Sequence, residues 1–213
     1  MIELIPLALV GAVAGFCLGW VSAWATEWLD VSEGAAPPTW KKLVKDPLVQ
    51  GGCALAFVVA ALVLRDWVRA GEAGLMSMPL IQVAVTDLKT RYVYTYVAAI
   101  GILLGLAFGW QVHGVEWWTS VAGALGGFIV FGALWGFGRL IYRGTEPLAR
   151  GDITIAAMVG AGGAACAGQA LVLGVILSGL FAVGVWIARR SRNVFLPYGP
   201  GLCLGGLATL FWC

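Results

Sequence analysis

Long apolar runs, parted by short polar breaks, set the pattern of this chain. Eight runs stand out: Ile5 to Thr26, Leu48 to Leu64, Gly74 to Leu88, Val93 to Trp110, Trp117 to Ile141, Ile153 to Gly168, Ala170 to Ala188, and Gly199 to Trp212. A hydrocarbon core about 30 Å thick takes roughly 20 apolar residues of α-helix. Backbone inside lipid must satisfy its own hydrogen bonds, and a helix does so within one segment. The pattern therefore predicts an all-α, polytopic membrane protein of about eight transmembrane helices, one domain over residues 1–213. The third run, with Pro79 inside it, is short for a free-standing span. The polar stretch EWLDVSEGAAPPTWKKLVKDP reads as a short loop, so residues 1–47 comprise the first helix and that loop.

Composition agrees with lipid as the solvent. Hydrophobic residues make up 61% of the chain and charged ones 11%, and the mean hydropathy is +0.91, which leaves too little polar side chain to cover a water-soluble globule. No basic segment precedes the first run, so it reads as a retained helix rather than a cleaved leader. A net charge of +2 argues against a nucleic-acid partner, and the run RRSR, Arg189 to Arg192, reads as a topology anchor.

Cations orient the spans. With eight crossings, one side holds Lys41, Lys42, Lys45, Lys89, Arg91, Arg139, Arg143, Arg150, Arg189, Arg190 and Arg192, and the other holds Arg65 and Arg69. The first side is then cytoplasmic and both termini face outward. If the third run does not cross, the N-terminus moves inside, yet Asp87 and Asp152 stay at the cytoplasmic face. Trp24, Trp28, Trp67, Trp110, Trp117 and Trp118 fall near span ends, where indoles anchor at headgroup depth. The 31 glycines, dense in Gly123 to Gly138 and Gly160 to Gly168, predict close helix packing through small residues. Five scattered cysteines without a CxxC pair read as buried small apolar residues, with no metal or cofactor, and His113 as a solvated residue of an outer loop.

Candidate chemistry concentrates at two acids. Asp87 closes a run and Asp152 opens one, on different helices at one face. Ionisable groups in apolar spans are costly and mark function by default, and two carboxylates held close divide the work, one keeping a proton while the other acts as a base on water. The structural alternatives are that Asp152 is an N-cap and Asp87 a helix end paired with Lys89 or Arg91. A proton-coupled carrier is a third reading, against which both acids lie at one face.

The stretch DLKTRYVYTYV from Asp87 resembles the first aspartate motif of type IV prepilin peptidases, the membrane aspartic proteases that process pilin-like precursors. YRGTEPLARGDITIAAMVGAGG, Tyr142 to Gly163, is similar to their second motif, Gly-x-Gly-Asp-x-Lys, and LPYGPGLCLGG, Leu196 to Gly206, to the Pro-Phe-Gly-Pro that opens the last helix. The resemblance covers residues 74–213, a peptidase-like core. It implies a multi-pass protein of the bacterial or archaeal cytoplasmic membrane that clips prepilin-like precursors, with Asp87 and Asp152 catalytic and Lys89, Gly151 and Thr154 supporting. The family's Ile-Pro-Asn reads here as Tyr94-Thr95-Tyr96, its first glycine as Ala149, and its lysine as Thr154. These changes support the alternative of a catalytically inactive, peptidase-like structural subunit. Members that also methylate carry a cytoplasmic domain, often with CxxC pairs, where this chain has a short loop. Methyl transfer is not expected.

Overall fold

The computed structural model describes residues 8–21, 46–90, 93–141, 148–189 and 198–213. Among them are eight α-helices: α1 (Ala8–Val21), α2 (Pro47–Leu64), α3 (Trp67–Thr90), α4 (Thr95–His113), α5 (Trp118–Ile141), α6 (Arg150–Gly163), α7 (Ala167–Arg189) and α8 (Gly199–Trp212). The described residues contain no strand, and the protein is all-α. Four stretches are long and apolar enough to cross a membrane: α2, α4, α5, and Arg150–Gly184, which runs from α6 into α7; α1 and α8 are shorter apolar helices.

Helix α3 is longer than its apolar run. It begins seven residues earlier than Gly74, takes in Arg69 and Glu72, and passes through Pro79 without ending. An internal proline forfeits one ladder hydrogen bond, a loss that spanning helices tolerate when neighbours pack on them. Here the ring lies over Gly101 of α4, where a Cβ would come within 3.1 Å of it. Antiparallel packing then carries α3 along the whole of α2: Gly74 lies against Phe57 near one end and Gly52 against Ile81 nearer the other.

The chain reverses between α6 and α7. Ala164 has φ 45°, a left-handed conformation that costs a β-carbon-bearing residue energy, and a 3-10 turn over Ala164–Cys166 follows. Gly163 thereby packs on Ala167 and Ala170 of the returning helix. The apolar pattern placed this break between Gly168 and Ala170, because an unbroken run of small residues gives no turn signal.

Helix α6 is the axis of the bundle, with ten buried residues from Asp152 to Gly163. It packs against α4, α5, α7 and α8. Glycine makes this possible: Gly123 of α5 lies against the Gly160 carbonyl, Gly127 against the Ala156 carbonyl, and Gly105 against Ala161. In lipid such close approach supplies the packing that water would otherwise drive. Helix α5 buries only the stripe Ser120, Gly123, Gly127 and Phe131, while Leu125, Phe128, Ile129 and Leu134 face outward. Helix α8 runs antiparallel to α7, with Gly205 against Ala170, Gly174 against Leu202, and Gly201 against Ser178.

Candidate active site

Asp87 lies three residues before the end of α3, and Asp152 is the third residue of α6. Both are buried, 6% and 5% exposed. Helix α8 opens between these elements: a Cβ on Gly199 would lie 2.5 Å from Asp87 Oδ2 and 2.9 Å from Ile155 Cδ1. Ile155 is one turn beyond Asp152, so its side chain shares that face of α6. The two carboxylates therefore stand at one end of the bundle, on α3 and α6, with the start of α8 beside them. The Cys203 thiol, one turn into α8, is fully buried.

Local chemistry holds Asp152. Asp152 Oδ2 accepts from the Ala149 N–H at 3.1 Å, a free amide at the positive end of the helix dipole. Ala149 occupies the N-cap position and has no side-chain acceptor, so only half of a capping box exists. Asp152 is thus an N3 residue rather than the N-cap that the sequence suggested.

The supporting residues sort differently. A Cβ on Gly151 would come 3.0 Å from Val93 Cβ, so a larger residue there would press on the α3–α4 connection. The Thr154 hydroxyl donates to the Gly151 carbonyl at 2.7 Å, satisfied by its own backbone. Lys89 finds a carboxylate on another helix's cap. Its ammonium meets the carboxylate of Asp46, which also caps α2 by accepting from the Leu48 N–H at 3.0 Å. Arg91 and Glu146 lie outside the described residues, as do Trp24, Trp28 and the loop cations from Lys41 to Lys45.

Two contributors escaped the sequence reading. Tyr94, one of the departures from Ile-Pro-Asn, is the N-cap residue of α4 and is buried, 4% exposed. Its ring lies 5.8 Å from that of Tyr96. The Ser178 hydroxyl contacts the carbonyls of Gly174, at 2.8 Å, and Tyr198, at 2.9 Å, which fixes the start of α8 beside Asp87. The signal for Ser178 was its place in an apolar run, where a hydroxyl needs a partner.

The opposite end corrects two further expectations. Cys53 and Cys203 are buried thiols and Cys17 is exposed, but Cys166 and Cys213 are joined as a disulfide, with Cα atoms 6.5 Å apart. His113 is not a loop residue; it ends α4, is half-buried, and its Nε2 lies 3.1 Å from the Gly162 carbonyl.

Residues 74–187 match the type IV leader peptidase family. The chain belongs to that family. Relatives of this chain include a prepilin leader peptidase/N-methyltransferase of Pseudomonas putida, 28% identical over 79% of this chain and 59% of the relative. A type 4 prepilin-like proteins leader peptide-processing enzyme of Escherichia coli O78:H11 is 32% identical over 78% of this chain and 60% of the relative. A prepilin leader peptidase/N-methyltransferase of Pectobacterium carotovorum is 30% identical over 77% and 59%. The chain thus spans about three fifths of the length of these relatives. No solved structure matches it. Family and apolar helices together make it a multi-pass membrane protein.

Proposed function

We propose that this leader peptidase family member is an intramembrane aspartic endopeptidase that removes the leader of type IV prepilin-like precursors at the cytoplasmic face of the cytoplasmic membrane. The observation that supports this reading is that two buried acids, Asp87 and Asp152, stand at one end of the bundle, where Gly199 lies against Asp87 and against Ile155, one turn from Asp152. Like charges held close favour a shared proton. One carboxylate then takes a proton from the attacking water while the other protonates the leaving amine, and both are restored as product departs. The water oxygen bonds to the scissile carbonyl carbon, and collapse of the tetrahedral adduct breaks the C–N bond. Gly199 leaves room at Asp87, and Gly151 lets the backbone near Val93 approach the start of α6. Methyl transfer, which the names of two relatives include, is not assigned to these residues.

Co-expression of a prepilin-like precursor with wild type, Asp87→Asn or Asp152→Asn tests the reading. Leader loss, read as a gel shift, is expected with wild type alone; cleavage persisting in either variant overturns the mechanism. One observation favours the second reading, a structural subunit without activity: Thr154, in place of the family lysine, turns its hydroxyl back to Gly151. No cleavage by wild type of any precursor from its own genome would select that reading.

A further inference from the structure

The end of the bundle away from the aspartates gathers a donor set that the proposed peptidase chemistry does not use. His113 at the end of α4, Cys166 in the turn between α6 and α7, and Cys213 beyond α8 place one ligand atom each within 4.8 Å of one another. A disulfide needs only the two sulfurs. The imidazole is the additional observation, and its setting is that of a ligand. Its Nε2 faces the Gly162 carbonyl at 3.1 Å, and that carbonyl accepts the Nε2 proton. The lone pair then resides on Nδ1. A ring N–H donated to a backbone carbonyl is the usual outer support of a metal-binding histidine. The Gly162 carbonyl takes this contact where α6 stops at Gly163 and the chain turns through Ala164. Strained backbone of this kind gathers at functional sites.

We propose that, in its dithiol form, the trio His113, Cys166 and Cys213 binds a thiophilic divalent cation of the zinc type. One imidazole and two thiolates match that cation's preference, and three protein ligands leave a fourth position open. Two thiolates cancel the charge of a dication, so the complex is neutral, which suits the apolar end of a membrane bundle. Uptake forms one metal–nitrogen and two metal–sulfur bonds and releases the two thiol protons, with no change of oxidation state. Cys166 is buried and fixed, whereas Cys213 is exposed and borders a groove of ≈ 370 Å³ between α7 and α8, lined also by Gln169, Leu173 and Thr209. The groove gives a route of entry. The disulfide joining the two sulfurs is the oxidised alternative of the same site, and its formation excludes the metal. Asp152 and Cys166 are separated by α6, roughly 20 Å of helix, so this site and the peptidase reading stand or fall separately.

Cobalt(II) titration of the full chain tests the proposal, with Cys17, Cys53 and Cys203 replaced by alanine and the protein reduced by a phosphine. One cobalt per chain is expected, with thiolate-to-metal charge-transfer bands and the intense visible bands of a tetrahedral ion, all displaced by zinc(II). Cys166→Ser or Cys213→Ser should weaken binding by about 100-fold or more, and His113→Gln by about 10- to 100-fold. Oxidising the reduced protein with diamide should abolish binding with no further change of sequence, a control that does not depend on the Cys166 or Cys213 variants folding. The proposal is overturned by absence of charge-transfer bands in the reduced protein, by unchanged affinity in His113→Gln, by binding that survives diamide, or by an intact-mass signature of the disulfide persisting after phosphine treatment.

Discussion

The two ends of this bundle are built from the same small-residue helix contacts and finish in opposite chemistries. At one end Asp87 and Asp152 come from separate helices, α3 and α6, and the start of α8 lies against Asp87 and against Ile155, one turn from Asp152. At the other, Cys166 and Cys213 are covalently joined beside His113. Carboxylates held near one another repel when both are ionised, whereas a covalent bond holds its two sulfurs whatever their surroundings. On the proposed reading, the aspartate end is where substitutions should tell most on activity.

The largest expected effect breaks that contrast directly. Asp87→Asn or Asp152→Asn should lower leader cleavage by about a thousandfold or more, since each removes one half of the acid–base exchange, while helicity and yield stay near wild type. Next is Gly199→Ala. Its Cβ would stand 2.5 Å from Asp87 Oδ2, so the carboxylate or the start of α8 must shift. A displacement of about 1 Å costs on the order of 100-fold in rate, so kcat should fall with little change in thermal stability; an unchanged kcat would remove Gly199 from the site. Gly160→Val acts on the frame instead. With the Gly123 backbone already in contact, it should cost about 1–3 kcal/mol, read as a lower unfolding midpoint in detergent. The smallest effect belongs to Lys89→Met, which leaves Asp46, 4% exposed, without its ammonium. Because Lys89 is 44% exposed and Asp46 keeps its bond to Leu48 N, the loss should be about 1 kcal/mol. The measurement is the same melt, and cleavage should be retained.

How far the sequence reached depended on which physical signal each residue left. Apolar runs marked all eight helices, because hydropathy is local and lipid demands it over whole segments. Asp87 and Asp152 were visible for the same reason, as charges where charge is costly. The start of α3 was misjudged because Arg69 and Glu72 are polar although helical, and Pro79 reads as a stop unless its packing on Gly101 is known. Cys166 and Cys213 are 47 residues apart, and no local pattern announces such a meeting. His113 needed a carbonyl on another helix to be placed. The Tyr94 position looked like a lost motif in one dimension and is a buried residue at the start of α4 in three. Sites defined by a single residue's cost were legible; sites defined by convergence were not.

The burial of α6 has a consequence for the surrounding lipid. At 14 residues, ten of them buried, it is about 21 Å long against hydrocarbon about 30 Å thick, yet its neighbours, not α6, meet the acyl chains. Longer helices such as α5, 24 residues with Leu125, Phe128, Ile129 and Leu134 facing outward, set the hydrophobic thickness of the bundle. A shielded helix is released from the length that lipid imposes, so its first turn, where Asp152 sits, is placed by the packing around it and not by the bilayer.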